Sequence, residues 1–163
     1  MSHEFAVYSE YSDSDKPMQP EANTRVFNRV EAQSGDSIRL DESTGVVSLK
    51  PGTYHITACS LVTPYYPATD TDGRVTDDAR PLGAYCRLRY RDKPNREDTP
   101  IAIGTVSTTN MLPSLIDTYL QVDQDAEIVL DHQAGADVEN LYLQVTVSGS
   151  SWHVFARISI HRL

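Results

Sequence analysis

The sequence predicts an all-β fold, a sandwich or barrel, and three observations predict it. Apolar and polar residues alternate through most of the chain, the pattern of strands with one buried face. Gly, Pro, Asn and Asp interrupt these stretches at short intervals, supplying the backbone angles that turns need. The three-to-four spacing of an amphipathic helix is hard to find. About ten short strands at regular spacing are expected.

The elements follow in order. Phe5 to Tyr11 is a first strand, and a polar loop with Pro17 and Pro20 completes residues 1–23. Residues 24–31 (TRVFNRVE) alternate again. Between Ser37 and Val62 the chain reads strand, turn, strand, turn, strand, with corners at Ser43-Thr44-Gly45 and Pro51-Gly52. Pro followed by Gly is the chemistry of a type II turn, with Gly expected at positive φ. In the strand after it, Tyr54, Ile56, Ala58 and Val62 share a face. Residues 64–81 form the longest irregular stretch, a length that in compact domains marks a functional or mobile loop. Strands resume at 84–91, 101–106, 115–122, 126–132, 141–147 and 152–163. The expected core is Ile56, Ala58, Leu88, Leu120, Val122, Ile128, Leu130, Ala156, Ile158 and Ile160.

Composition narrows function. The 163 residues suit one domain, residues 1–163, and a 39% hydrophobic, 23% charged chain reads as globular. Net charge is −9, from 14 basic and 23 acidic residues, which argues against binding nucleic acid through its phosphates. No apolar run has the length of a membrane span. The first fifteen residues lack the basic and apolar regions of a secretion signal, so the chain is expected to fold in a cytoplasm. Cys59 and Cys86 are either two small apolar side chains or a disulfide pair. No nucleophile elbow, HExxH, phosphate loop or dinucleotide fingerprint is present. Asp70-Thr71-Asp72-Gly73 has the carboxylates of a calcium loop without its downstream Glu, and reads as a solvated acidic loop. The expectation is no enzyme, no catalytic residue, no metal and no cofactor.

Three segments carry a resemblance. Residues 41–60 (DESTGVVSLKPGTYHITACS) combine a Gly-containing hairpin, an alternating strand and Pro-Gly-x-Tyr opening another strand. Residues 120–130 (LQVDQDAEIVL) place an acidic turn between alternating strands, and residues 154–160 (VFARISI) form an aromatic-bearing last strand. In this order and spacing they resemble the C1q/tumour necrosis factor superfamily, in a bacterial or phage form without a collagen stalk. Arg157 stands where that family usually carries Gly.

The resemblance implies an antiparallel ten-stranded jelly-roll sandwich that assembles as a homotrimer and binds rather than catalyses. It implies a trimer interface of Leu115, Asp117, Tyr119, Phe155, Arg157, Ser159 and His161, with Arg157 and Asp117 paired near the axis. Tyr65, Tyr66, Asp70, Asp72 and Arg74 are the candidate recognition residues of the 64–81 loop, because binding residues concentrate on loops carried by a rigid scaffold. The expected role is a virion-surface component, a capsid decoration or fibre tip. The alternative is a lectin-like glycan- or protein-binding module of a bacterial surface. Expected partners are two further copies, other virion or surface proteins, and glycans.

Overall fold

A computed structural model of the chain describes residues 3–20, 22–64, 81–92, 99–108, 112–134, 138, 140–146 and 152–163. Among them are fourteen strands and no helix: β1 (Phe5–Tyr11), β2 (Lys16–Pro17), β3 (Asn23–Thr24), β4 (Arg29–Ser34), β5 (Ile38–Asp41), β6 (Val46–Leu49), β7 (Gly52–Ser60), β8 (Thr63–Pro64), β9 (Pro81–Tyr90), β10 (Ala102–Thr108), β11 (Ser114–Val122), β12 (Ala126–Gln133), β13 (Leu141–Gln144) and β14 (Val154–Arg162). Ten of them make two antiparallel sheets, in the orders β11-β7-β14-β1-β4 and β10-β9-β12-β6-β5. The short β3 adds to the second sheet through β12, and β2, β13 and β8 form a small third sheet.

The two sheets bury their facing residues. All ten expected core residues are buried, joined by Ala6, Tyr8, Phe27, Ile38, Val47, Leu49, Tyr54 and Cys86 in one cluster. Alternation explains this: on β7, Tyr54, Ile56 and Ala58 point inward while His55, Thr57 and Cys59 point out. Val62 belongs instead to a smaller cluster with Met18, Ala84, Leu141 and Leu143. The two core tyrosines keep their hydroxyls satisfied, Tyr8 donating to Gln33 Oε1 at 3.1 Å and Tyr54 to the Lys50 carbonyl at 2.6 Å. Burial pushes the Tyr8 phenol up to about 12.

Two expectations need correction. Residues 24–31 are not one strand, because 25–28 carry the chain from β3 in the second sheet to β4 in the first. Backbone bonds record the crossing: Arg25 N–H donates to the Leu130 carbonyl at 2.8 Å and Asn28 N–H to the Ser9 carbonyl at 3.1 Å. Second, Gly52 is not at positive φ; the two glycines that are, among the described residues, are Gly35 and Gly45. Gly52 begins β7, where an added Cβ would lie 2.8 Å from Arg162 Nε. Of the two readings of the cysteines, the unbonded one holds: Cys59 and Cys86 are both free. Cys59 is half-buried on the outer face of β7, and Cys86 is in the core.

Candidate functional site

The outer face of the first sheet is built rung by rung. Strand registers align Leu115, Cys59, Arg157, Ser9 and Arg29 across β11, β7, β14, β1 and β4. The next rung aligns Asp117, Thr57, Ser159, Val7 and Ala32, and a third aligns Tyr119, His55, His161, Phe5 and Ser34. The third is a row of rings. His55 stacks on Tyr119 with centroids 4.8 Å apart, and Phe5 stacks on His161 at 6.0 Å.

Six of the seven candidate interface residues lie on this face with surface to offer. Leu115 is 52% exposed and Tyr119 68%; Asp117, Arg157 and His161 are exposed and Ser159 half-buried. Phe155 differs, being buried within its own chain. The expected Arg157–Asp117 pair is not formed within the chain, for a geometric reason. Strand β7 lies between β14 and β11, and each charge finds a nearer partner. Asp117 Oδ1 lies 2.7 Å from His55 Nε2. Arg157 donates from Nε to Ser9 Oγ at 3.0 Å and approaches Glu31 at 4.0 Å. Between them runs a shallow groove of about 370 Å³ over Cys59, walled by Thr57, Leu115, Asp117, Arg157 and Ser159.

An apolar edge adjoins this face. Strands β10 and β11 end their respective sheets on the same side of the sandwich. They are stitched together where Leu115 N–H donates to Thr105 Oγ1 at 3.0 Å and Ser114 Oγ bonds the Thr105 carbonyl. Gly104 permits the approach, since a Cβ there would lie 2.4 Å from Ser114 Oγ and 2.6 Å from Cys86 Sγ. Of the eight large apolar side chains exposed among the described residues, five gather here: Ile103, Val106, Leu112, Leu115 and Tyr119.

Among the described residues, hydrogen-bonded Ser and His side chains occur twice, and neither set has the form of a catalytic relay. On the outer face Ser159 Oγ lies 3.2 Å from His161 Nε2, but the acid Asp117 bonds His55 instead, so the three groups do not converge on one imidazole. In the interior, His132 Nδ1 lies 2.7 Å from Ser60 Oγ and Nε2 lies 3.0 Å from Ser107 Oγ, all three residues fully buried. Arg25 Nε donates to Ser60 Oγ at 2.8 Å, which leaves the Ser60 hydroxyl hydrogen available to Nδ1 in the tautomer that carries its proton on Nε2. Burial, with Arg25 nearby, depresses His132 to about 3. The sequence offered one signal for this network: Glu10 and His132 fall on core-facing positions of otherwise apolar alternation.

Among the described residues, no group of three or more His, Cys, Asp or Glu is arranged to hold a metal ion, and no helix is long and apolar enough to cross a membrane. The candidate recognition residues Tyr65, Tyr66, Asp70, Asp72 and Arg74 lie outside the described residues. A surface depression of about 820 Å³ lies at the acidic β11–β12 turn between Tyr90, Asp92, Asp123, Asp125 and Glu127.

No family model and no curated protein sequence matches the chain. Solved structures do. Murine APRIL, of the tumour necrosis factor family, superposes with a TM-score of 0.57 over 99% of this chain and 98% of its own, at 8% identity. The globular domain of zebrafish complement 1qA protein superposes with a TM-score of 0.51 over 99% of this chain and 96% of its own, at 12% identity. At such identities the likeness is one of fold, and it agrees with the sheet orders: the chain has a C1q/TNF-like jelly-roll fold.

Proposed function

We propose that this C1q/TNF-like jelly roll is a non-enzymatic structural or attachment module that assembles as a homotrimer. The observation that carries the reading is the presence on one chain of two unlike surfaces, an apolar edge at β10–β11 and the grooved outer face of the first sheet. A contact between unlike surfaces is heterologous, and such contacts close into rings when the rotation allows. Exposed apolar patches on this scale mark interaction sites. In this reading the β10 edge of one copy packs on the outer face of the next, burying Leu115, Asp117, Tyr119, Arg157, Ser159 and His161, while Phe155 supports the face from beneath.

Ile103→Asp alters the edge and Ser159→Arg alters the face. Each variant alone should run as a monomer of 18.2 kDa. Mixed, they retain one native contact per pair and should form dimers. A mixture that stays monomeric, or single variants that keep the wild-type mass, would contradict an edge-to-face assembly.

The finer reading is a virion-surface component, a capsid decoration or fibre tip folded in the host cytoplasm, of the phage type that the sequence resemblance suggests. An acidic trimer needs only its own contacts and an attachment surface for that role. Mass spectrometry of purified particles should find the chain in stoichiometric multiples of three. Its presence only on uninfected bacterial surfaces would favour the glycan- or protein-binding alternative.

A further inference from the structure

A second exposed cluster sits at the far corner of the same sheet, four strands from β11, where β1, β4 and the approach to β14 meet. Trp152 is 70% exposed. Its ring meets Tyr11 edge-on, with centroids 6.2 Å apart and planes at 76°. The Arg29 guanidinium lies 4.4 Å from the Tyr11 ring centroid and 5.2 Å from that of Trp152. No hydrogen bond engages the Arg29 guanidinium among the described residues, so its N–H donors remain available. Among the described residues, Arg29 makes no ion pair, in a chain of net charge −9. The neighbouring charges are already engaged. Glu31 accepts from the Tyr11 hydroxyl at 2.6 Å and faces Arg157 at 4.0 Å, and Asp13 pairs with Lys16 at 3.3 Å.

The corner is held in shape from behind. The Asn28 side-chain amide accepts from Tyr11 N–H at 2.8 Å and donates to the Tyr11 carbonyl at 2.9 Å, extending the ladder by one rung. Ser12 N–H donates to the His153 carbonyl at 2.8 Å, fixing the backbone beside Trp152. A preformed site loses less ordering entropy when it binds.

We propose that Trp152, Tyr11 and Arg29 form a binding site for a carboxylated saccharide. The indole, 70% exposed, suits the apolar face of a pyranose, whose hydroxyls meet water and polar neighbours at the rim. The unpaired guanidinium suits its carboxylate, which it can hold through two parallel N–H bonds. Charge complementarity is what selects an acidic sugar over a neutral one. The site belongs to one chain and does not rest on the trimer reading, so either can fail without the other.

The chain has a single Trp, so the indole N–H resonance reports this site alone. The full chain is titrated with N-acetylneuraminyl-lactose, methyl glucuronide and lactose. At least one of the two acidic sugars should shift the indole resonance, at concentrations at least about tenfold below those at which lactose does. Trp152→Ala should abolish calorimetric binding, and Arg29→Gln should bring the acidic sugar to the level of lactose, both with wild-type mass and melting temperature. An indole resonance unmoved by any of the three at tens of millimolar overturns the proposal, as does binding of lactose equal to that of both acidic sugars. Shifts from one acidic sugar alone identify which carboxylate geometry the corner takes.

Discussion

A guanidinium with no exposed surface must satisfy its N–H donors inside the protein, and Arg25 does so with Ser60 Oγ, the carbonyls of Leu61 and Leu143, and the Glu10 carboxylate at 3.5 Å. Gln144 completes Glu10 from the other side at 3.0 Å. Burial raises Glu10 and lowers Arg25 against each other's attraction. Breaking such a pair from one side strands the other charge, so Arg25→Met should cost about 3–5 kcal/mol in urea unfolding, and Glu10→Gln less. His132 gives the pH dependence. Its folded value lies below the unfolded 6.5, so the unfolded chain binds the extra proton, and stability falls as pH drops from about 6.5 toward about 3. The slope for one such proton is about 1.4 kcal/mol per pH unit. Glu10 opposes it, since its raised folded value makes the native state take up a proton first. His132→Gln should therefore flatten stability against pH between 6.5 and 4, whatever it does to the absolute level; an unchanged slope would be inconsistent with a neutral buried imidazole. Little of this network was legible in advance. Arg25 sits in an alternating run that reads as an ordinary surface strand, and only the crossing between sheets turns it inward.

At the scale of elements, alternation carries far. It locates the core of β7, β9, β11, β12 and β14 because each of these strands has one face against the opposite sheet. It fails where a segment leaves a ladder, as at residues 25–28, or joins the small third sheet, as β13 does. Turn chemistry divides in the same way. Gly45 has φ 74° and an added Cβ would lie 2.1 Å from the Arg25 carbonyl oxygen, a rigid backbone atom. Gly52 has ordinary φ and meets only the end of the Arg162 side chain. Gly45→Ala should thus destabilise by more than the ~1 kcal/mol scale of a compatible Gly substitution, and Gly52→Ala by less, in paired thermal melts. Gly52→Ala should also loosen the clasp in which Arg162 bonds Glu4 at 2.7 Å, Ser37 at 2.7 Å and the Pro51 carbonyl at 2.8 Å. That clasp ties the two terminal strands. The bonds from Ser37 and Arg162 hold Glu4 down at about 2, so its contribution persists through mild acid and is lost only as pH falls toward that value.

For the whole molecule, the shared outer face of Leu115, Asp117, Tyr119, Arg157, Ser159 and His161 was legible because strand alternation delivers them to one side of the sheet. The pairing of Arg157 with Asp117 was not, because facing alone does not say which strand lies between. The Trp152 corner was invisible for a related reason: Tyr11, Arg29 and Trp152 come from three distant segments that only the β14-β1-β4 order unites. In the proposed trimer the apolar β10–β11 edge is covered by the outer face of another copy. An edge left bare would expose Ile103 and Tyr119 at 62% and 68%. Light scattering of the purified chain at micromolar concentration tests this most directly, since a large apolar interface stays closed there. The proposed trimer gives a species of three times the 18.2 kDa chain mass, unchanged on dilution; a stable monomer, or a dimer at every concentration, overturns it.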